Sequence, residues 1–185
     1  GEYDGEQIID AKGKYISPSF IDSHVHIESS MVTPKEFAKV VLPHGVTTII
    51  ADPHEIANVA GVEGIQYMLD SSENLPLNIY IMVPSCVPAT PFEHAGAVLK
   101  AEDLAPFYNH PRVLGLGEVM DFPSVFHAEQ SMLNKLYDAR ARGVKIDGHA
   151  AGLDQDAINV YTTAGIKTDH EAISVSEAKD RLQRG

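Results

Sequence analysis

Six times along this chain a short apolar run gives way to a helical pattern, and that alternation constrains the fold more than any other feature. The first run is Phe20-Ile21-Asp22-Ser23-His24. Thr33-Pro34-Lys35-Glu36 then reads as an N-cap, a proline at the first helical position and a glutamate three residues after the cap, opening a helix from Pro34 to Leu42. The β-branched run Val46 to Ala51 is a buried strand by composition, followed by a helical pattern from Val62 to Asp70. Leu77 to Val83 is a third strand, closed by a proline-rich loop at Pro84, Pro88 and Pro91. A helix at Glu102 to Tyr108 and a strand at Val113 to Leu116 follow. Next come a helix at Glu129 to Arg142, a strand at Val144 to Ile146, a helix at Gln155 to Ala164 and a strand at Ile166 to Thr168. A second capping box, Ser174 to Glu177, starts the last helix.

Strands that alternate with helices imply βαβ units and a parallel sheet. Polar residues at the strand C-terminal ends suit either a doubly wound sheet or a (β/α)₈ barrel. The glycine-rich dinucleotide fingerprint is absent after the first strand, where His24-Val25-His26-Ile27-Glu28 stands instead. A full barrel takes about 250 residues. The expectation is therefore an α/β chain of TIM-barrel type carrying about the first six βα units. Residues 1–18, with a strand-like stretch at Gln7 to Asp10, read as the remnant of a small β domain, and residues 19–185 as the partial barrel.

Composition narrows the partners. A formal charge of −12 disfavours nucleic-acid backbones and anionic membranes, while leaving neutral small molecules open. The single Cys86 excludes an internal disulfide and a cysteine-cluster zinc site, and it suits a reducing compartment. Nothing approaches the ~20 apolar residues of a membrane span, and the N-terminus lacks the character of a signal peptide. A soluble, cytoplasmic protein is expected.

His24 and His26 are two apart at the end of a strand, so both imidazoles fall on one side and can reach one metal ion. Two solvent-facing histidines in a loop would look the same. Other ligand types recur at equivalent places, however: Glu118 after the fourth strand, His149 after the fifth and His170 after the sixth. In a barrel these ends converge on one rim. Four histidines and a carboxylate exceed one four-coordinate site with an open position, and they fit two ions sharing a bridging carboxylate and a bridging water. Asp52, His54 and Glu55 are further rim residues, for which an extra metal, a substrate contact, a cap or an ion pair all stay open. His44, His94, His110 and His127 are read as structural or solvated. Cys86 is read as a buried or substrate-lining thiol.

Residues 19–30, from Ser19-Phe20-Ile21-Asp22-Ser23-His24 to Ile27-Glu28-Ser29-Ser30, resemble the opening strand of the amidohydrolase superfamily. The Ile-Glu-Ser-Ser extension is similar to that of the bacterial and archaeal adenine deaminases. So are Ala51-Asp52-Pro53-His54-Glu55-Ile56-Ala57-Asn58-Val59, the string from Pro84 to Pro91, Gly117-Glu118-Val119-Met120-Asp121-Phe122-Pro123 and Thr168-Asp169-His170-Glu171. The resemblance implies two divalent metal ions (manganese, iron or zinc). His24 and His26 would bind one, His149 and His170 the other, and Glu118 would bridge them. It implies hydrolytic deamination of adenine to hypoxanthine and ammonia by a metal-activated hydroxide, a purine-salvage reaction. Glu118, His149 and Glu171 would be catalytic, with Glu171 and Asp121 as the groups considered for proton transfer.

Ser19 and Ala151 depart from the family, which usually has glycine and proline there. The family also places an essential Asp after an eighth strand, which has no counterpart here. The chain is accordingly read as a fragment whose chemistry needs the complete chain. Another amidohydrolase activity, on a cyclic amide or other amino-purine, and a non-catalytic metal-binding module remain alternatives. An open sheet edge is an aggregation hazard, so self-association, as a homo-oligomer or a non-native closure, is expected.

Overall fold

A computed structural model describes residues 4–184. Six strands form one parallel sheet in sequence order: β1 (Phe20–Val25), β2 (Val46–Ala51), β3 (Asn78–Val83), β4 (Val113–Val119), β5 (Lys145–Gly148) and β6 (Thr168–Asp169). A doubly wound sheet reverses its order at a switch point, whereas a barrel winds one way. The unbroken order from β1 to β6 therefore decides between the two expected architectures in favour of the barrel type. Among the described residues neither outer edge pairs with a further strand, and Phe20 and Ile21 on β1 stand largely exposed.

Seven α-helical segments connect and follow the strands: α1 (Pro34–Val41), α2 (His54–Ser71), α3 (Ala101–Leu104), α4 (Phe122–Phe126), α5 (Gln130–Ala141), α6 (Gln155–Ala164) and α7 (Val175–Arg184). The core includes Ile49 and Ala51 of β2, Ile79, Ile81 and Val83 of β3, and Ile146 of β5. With them pack Ile65, Met68 and Leu69 of α2, Leu136 of α5, and Ile158 and Tyr161 of α6. Burial of large side chains at ~25 cal/mol per Å2 is what holds the helical layer on the sheet.

Several expectations are corrected in detail. Residues 54–60 are helical, and α2 starts directly after β2, because Gly61 joins two helical pieces through a conformation with φ 60° and ψ −139°. That glycine hid the first piece from a periodicity reading. Strand β4 runs three residues beyond Leu116, so Glu118 lies within the strand. Residues 7–10 carry no strand, and Ile8 and Ile9 are exposed. Thr33 precedes α1 without a side-chain capping bond. The Ser174 hydroxyl does accept the Glu177 N–H at 3.2 Å, while the Glu177 carboxylate turns to the N–H of Ile173.

Candidate metal centre

The C-terminal ends of β1, β2, β4, β5 and β6 bring five imidazoles (His24, His26, His54, His149 and His170) and three carboxylates (Asp52, Glu118 and Asp147) together. His24 is the penultimate residue of β1, His26 follows that strand directly, Asp52 and His54 follow β2, Glu118 lies near the end of β4, and His149 and His170 follow β5 and β6 directly. Two of the strands break register where they present a ligand-type side chain. β1 shifts between Asp22 and Val25, around His24, and β4 between Leu116 and Val119, around Glu118. Such irregularities re-aim side chains beside functional sites. The sheet curls enough for its two ends to meet: the His24 ring stacks on that of His170, with centroids 3.5 Å apart and planes 11° apart.

Glu118 is the hub. It is 3% exposed, and its Oε1 lies 3.2 Å from His26 Nε2 and 3.2 Å from His54 Nδ1. Its Oε2 lies 2.7 Å from His149 Nδ1 and 3.3 Å from His170 Nε2. Burial opposes its charge, but the surrounding His170, His26, His54 and His149 outweigh burial and hold the carboxyl far below the usual range. Its backbone is fixed as firmly as its side chain. The N–H donates to Asp52 Oδ2 at 2.8 Å, and the C=O accepts the Ser85 hydroxyl at 2.6 Å. Ser85 is in turn held through its own carbonyl by the buried Lys135 amine, 2.7 Å away on α5.

The ring tautomers follow from their outer contacts. His26 Nδ1 lies 2.8 Å from the Asp52 carbonyl, an atom that can only accept, so Nδ1 carries the proton in the neutral ring. Its Nε2 lone pair then faces inward, 3.0 Å from His24 Nε2. Asp147, on β5, faces the rear of two other rings. Its Oδ2 is 3.0 Å from His170 Nδ1 and 3.5 Å from His24 Nδ1, while its Oδ1 accepts the Thr168 hydroxyl at 2.5 Å. Burial raises the Asp147 carboxyl, but His170, His24 and Thr168 outweigh it and bring it well below its ordinary value. Burial likewise disfavours the charged forms of His54 and His170. Asp52 and Glu118 beside His54, and Asp147 and Glu118 beside His170, push both up to about 10.

Residues 15–182 match the amidohydrolase family. The chain belongs to that family. Adenine deaminases are among its close relatives: 63% identity with that of Halalkalibacterium halodurans, 64% with that of Geobacillus kaustophilus and 62% with that of Bacillus subtilis. Each match covers 100% of this chain and 32% of the relative, so the chain spans about a third of the length of these curated proteins.

An amidohydrolase is expected to hold a divalent metal, and the donor set here fits one. Two imidazole nitrogens 3.0 Å apart, at His24 and His26, have the spacing of ligands ~2.0–2.1 Å from one ion. Asp52 Oδ1 is buried with no hydrogen-bond partner, and His54 Nδ1 lies 3.2 Å from Glu118 Oε1 without the alignment of a hydrogen bond; a cation between these atoms would satisfy both. Groups that could hold an ion are His24–His26–Glu118, Glu118–His149–His170, Asp52–His54–Glu118 and His24–Asp147–His170.

The structure thus brings together His24, His26, Glu118, His149 and His170, the five residues expected as ligands. Glu171 is not among them: its side chain is exposed, and its backbone N–H donates to Asp169 Oδ1 at 3.3 Å. Asp121 instead caps α4, accepting the Ser124 N–H at 3.1 Å. Asp147 joins the cluster as a residue not expected there, although it precedes His149 by two positions, as His24 precedes His26. His54, left open before, lies against the hub. Cys86 is buried, and burial pushes its thiol up despite the nearby Ser85. It borders a cavity of about 350 Å3 that is also lined by His54, Glu55, Asn58, Ala89 and Glu93.

Proposed function

We propose that this chain carries most of the metal centre of an adenine deaminase, which hydrolyses adenine to hypoxanthine and ammonia in purine salvage. The observation that carries the reading is the convergence of His26, His54, His149 and His170 on the buried Glu118 carboxylate. The adenine deaminase relatives, matched over the whole chain, support the choice of substrate. His24 and His26 would hold one divalent ion, His149 and His170 a second, with Glu118 shared; manganese, iron and zinc all suit imidazole and carboxylate donors. Bound metal supplies a lowered water pKa and a Lewis acid for the polarised C–N centre.

The chain's own residues account for orientation. Asp52 and Ser85 lock the Glu118 backbone, and Asp147 and the Asp52 carbonyl set the ring tautomers. The cavity beside His54 offers Glu55, Glu93 and the unpaired Asn58 Oδ1, acceptors matched to the N–H groups of an amino-purine. His54, raised to about 10, carries a proton at neutral pH in the metal-free site and faces the same cavity. Glu171, exposed at the rim, would act in proton transfer only after its loop turns inward. The acidic charge and the lack of any helix long and apolar enough to cross a membrane, among the described residues, fit a cytoplasmic enzyme acting on a small molecule.

The test is ammonia release from adenine by the full-length protein, freed of metal and then reloaded with manganese or zinc. Hypoxanthine and ammonia in equal amounts, lost on chelation, are expected. A metal-loaded protein that leaves adenine untouched while opening a cyclic amide would overturn the substrate assignment.

A further inference from the structure

We propose that Asp147 is a positioning residue shared by the two halves of the metal centre, holding His24 and His170 by their Nδ1 atoms so that both Nε2 atoms face inward. The proposal rests on the metal-dependent reading above and extends it to a residue outside the ligand set.

Three observations converge on it. First, a single oxygen, Asp147 Oδ2, lies 3.0 Å from His170 Nδ1 and 3.5 Å from His24 Nδ1. The stacked rings therefore present the same edge to one carboxylate. Second, the opposite edges point at the centre: His170 Nε2 is 3.3 Å from Glu118 Oε2, and His24 Nε2 is 3.0 Å from His26 Nε2. Third, Asp147 is itself fixed. Thr168, its partner across the β5–β6 ladder, donates its hydroxyl to Oδ1 and leaves Oδ2 to the two rings. A carboxylate behind a ligating histidine fixes the tautomer and makes the forward nitrogen a better donor. One such carboxylate here serves a ligand of each proposed ion, so the two ions share an outer contact at Asp147 as well as an inner one at Glu118.

Direct ligation of a third ion by Asp147 would require both Nδ1 atoms to give up their protons to a cation behind the rings. The experiment separates these roles in the full-length protein, using Mn2+ and Zn2+ as probes in competition with a chelating indicator. Asp147→Asn and Asp147→Ala are expected to keep two ions per chain and weaken both by ~10–100-fold. At saturating metal, kcat should recover for adenine with KM unchanged. Thr168→Val, which frees Oδ1, should weaken both ions by a smaller factor, and it carries the test if Asp147→Ala does not fold. Unchanged affinities, weakening confined to one ion, or loss of a whole equivalent would each overturn the proposal. Wild-type protein that binds two ions but releases no ammonia from adenine would remove the deaminase reading while leaving the effect of Asp147→Asn on metal affinity intact.

Discussion

Gly117 lies where the chain has no room for a side chain, and replacing it tests how Glu118 is held. A Cβ built at this position would fall 2.2 Å from Asp52 Oδ2 and 2.7 Å from Asp52 Cγ. Asp52 is 1% exposed and cannot swing into solvent without breaking its bond to the Glu118 N–H. Gly117→Ala therefore combines overpacking, at ~1–3 kcal/mol, with loss of a charged hydrogen bond, at ~1.5–3 kcal/mol, for a total of about 2.5–6 kcal/mol. In a folded unit of this size each 1 kcal/mol moves Tm by roughly 2–4 °C, so a fall of about 5–24 °C is expected in thermal unfolding followed by circular dichroism. The measurement is made on metal-free protein, so that lost ion binding does not enter. The deciding comparison is a cycle with Asp52→Ala. With that carboxylate gone the alanine has space, and Gly117→Ala should cost almost nothing, a coupling of about 2 kcal/mol or more. Additivity of the two substitutions within ~0.5 kcal/mol would refute the steric argument.

Two further outcomes follow from the same geometry. In metal-free protein His54 and His170 are raised to about 10, so their contribution to stability is complete below 6.5 and lost as pH rises toward 10. Glu118 works in the opposite sense, its contribution present above 4.5 and lost on acidification. The apo Tm should therefore peak between these limits and fall from pH 7 to 10, whereas metal affinity should rise over that range as the ligands shed protons; an apo Tm flat across it would contradict the assignment. Cys86 is buried, with its thiol shifted upward, so a thiol reagent at pH 8 should label it only on unfolding. Rapid stoichiometric labelling of native protein would show the Ser85–Cys86 loop to be open.

The convergence of His24, His26, Glu118, His149 and His170 was legible because all five stand at the ends of apolar runs of strand composition, and a parallel βα series sends those ends to one side. What escaped had three-dimensional causes. By composition β5 ends at Ile146 and Asp147 falls in a loop; in the structure Asp147 belongs to the strand, and alternation puts it on the side of His149. Gly115 and Gly117 argue against a strand on propensity, yet β4 continues through both. Gly115 is forced by the Lys145 carbonyl, 2.1 Å from its would-be Cβ, and Gly117 by Asp52. Neither neighbour is close in sequence. Helix α4 spans only five residues, too few for a periodicity to register.

The stacking of His24 on His170 has a mechanical consequence. These residues belong to β1 and β6, with four paired strands between them, so their contact spans the curl of the whole described sheet and not of one strand pair. Two ions of the proposed kind, with ligands drawn from both strands and tied through Glu118 on β4 between them, would act as a clasp on that curl. Chelation would then do more than stop chemistry: it would let the sheet uncurl, and hydrogen exchange in β1 and β6 should quicken before it does in β3.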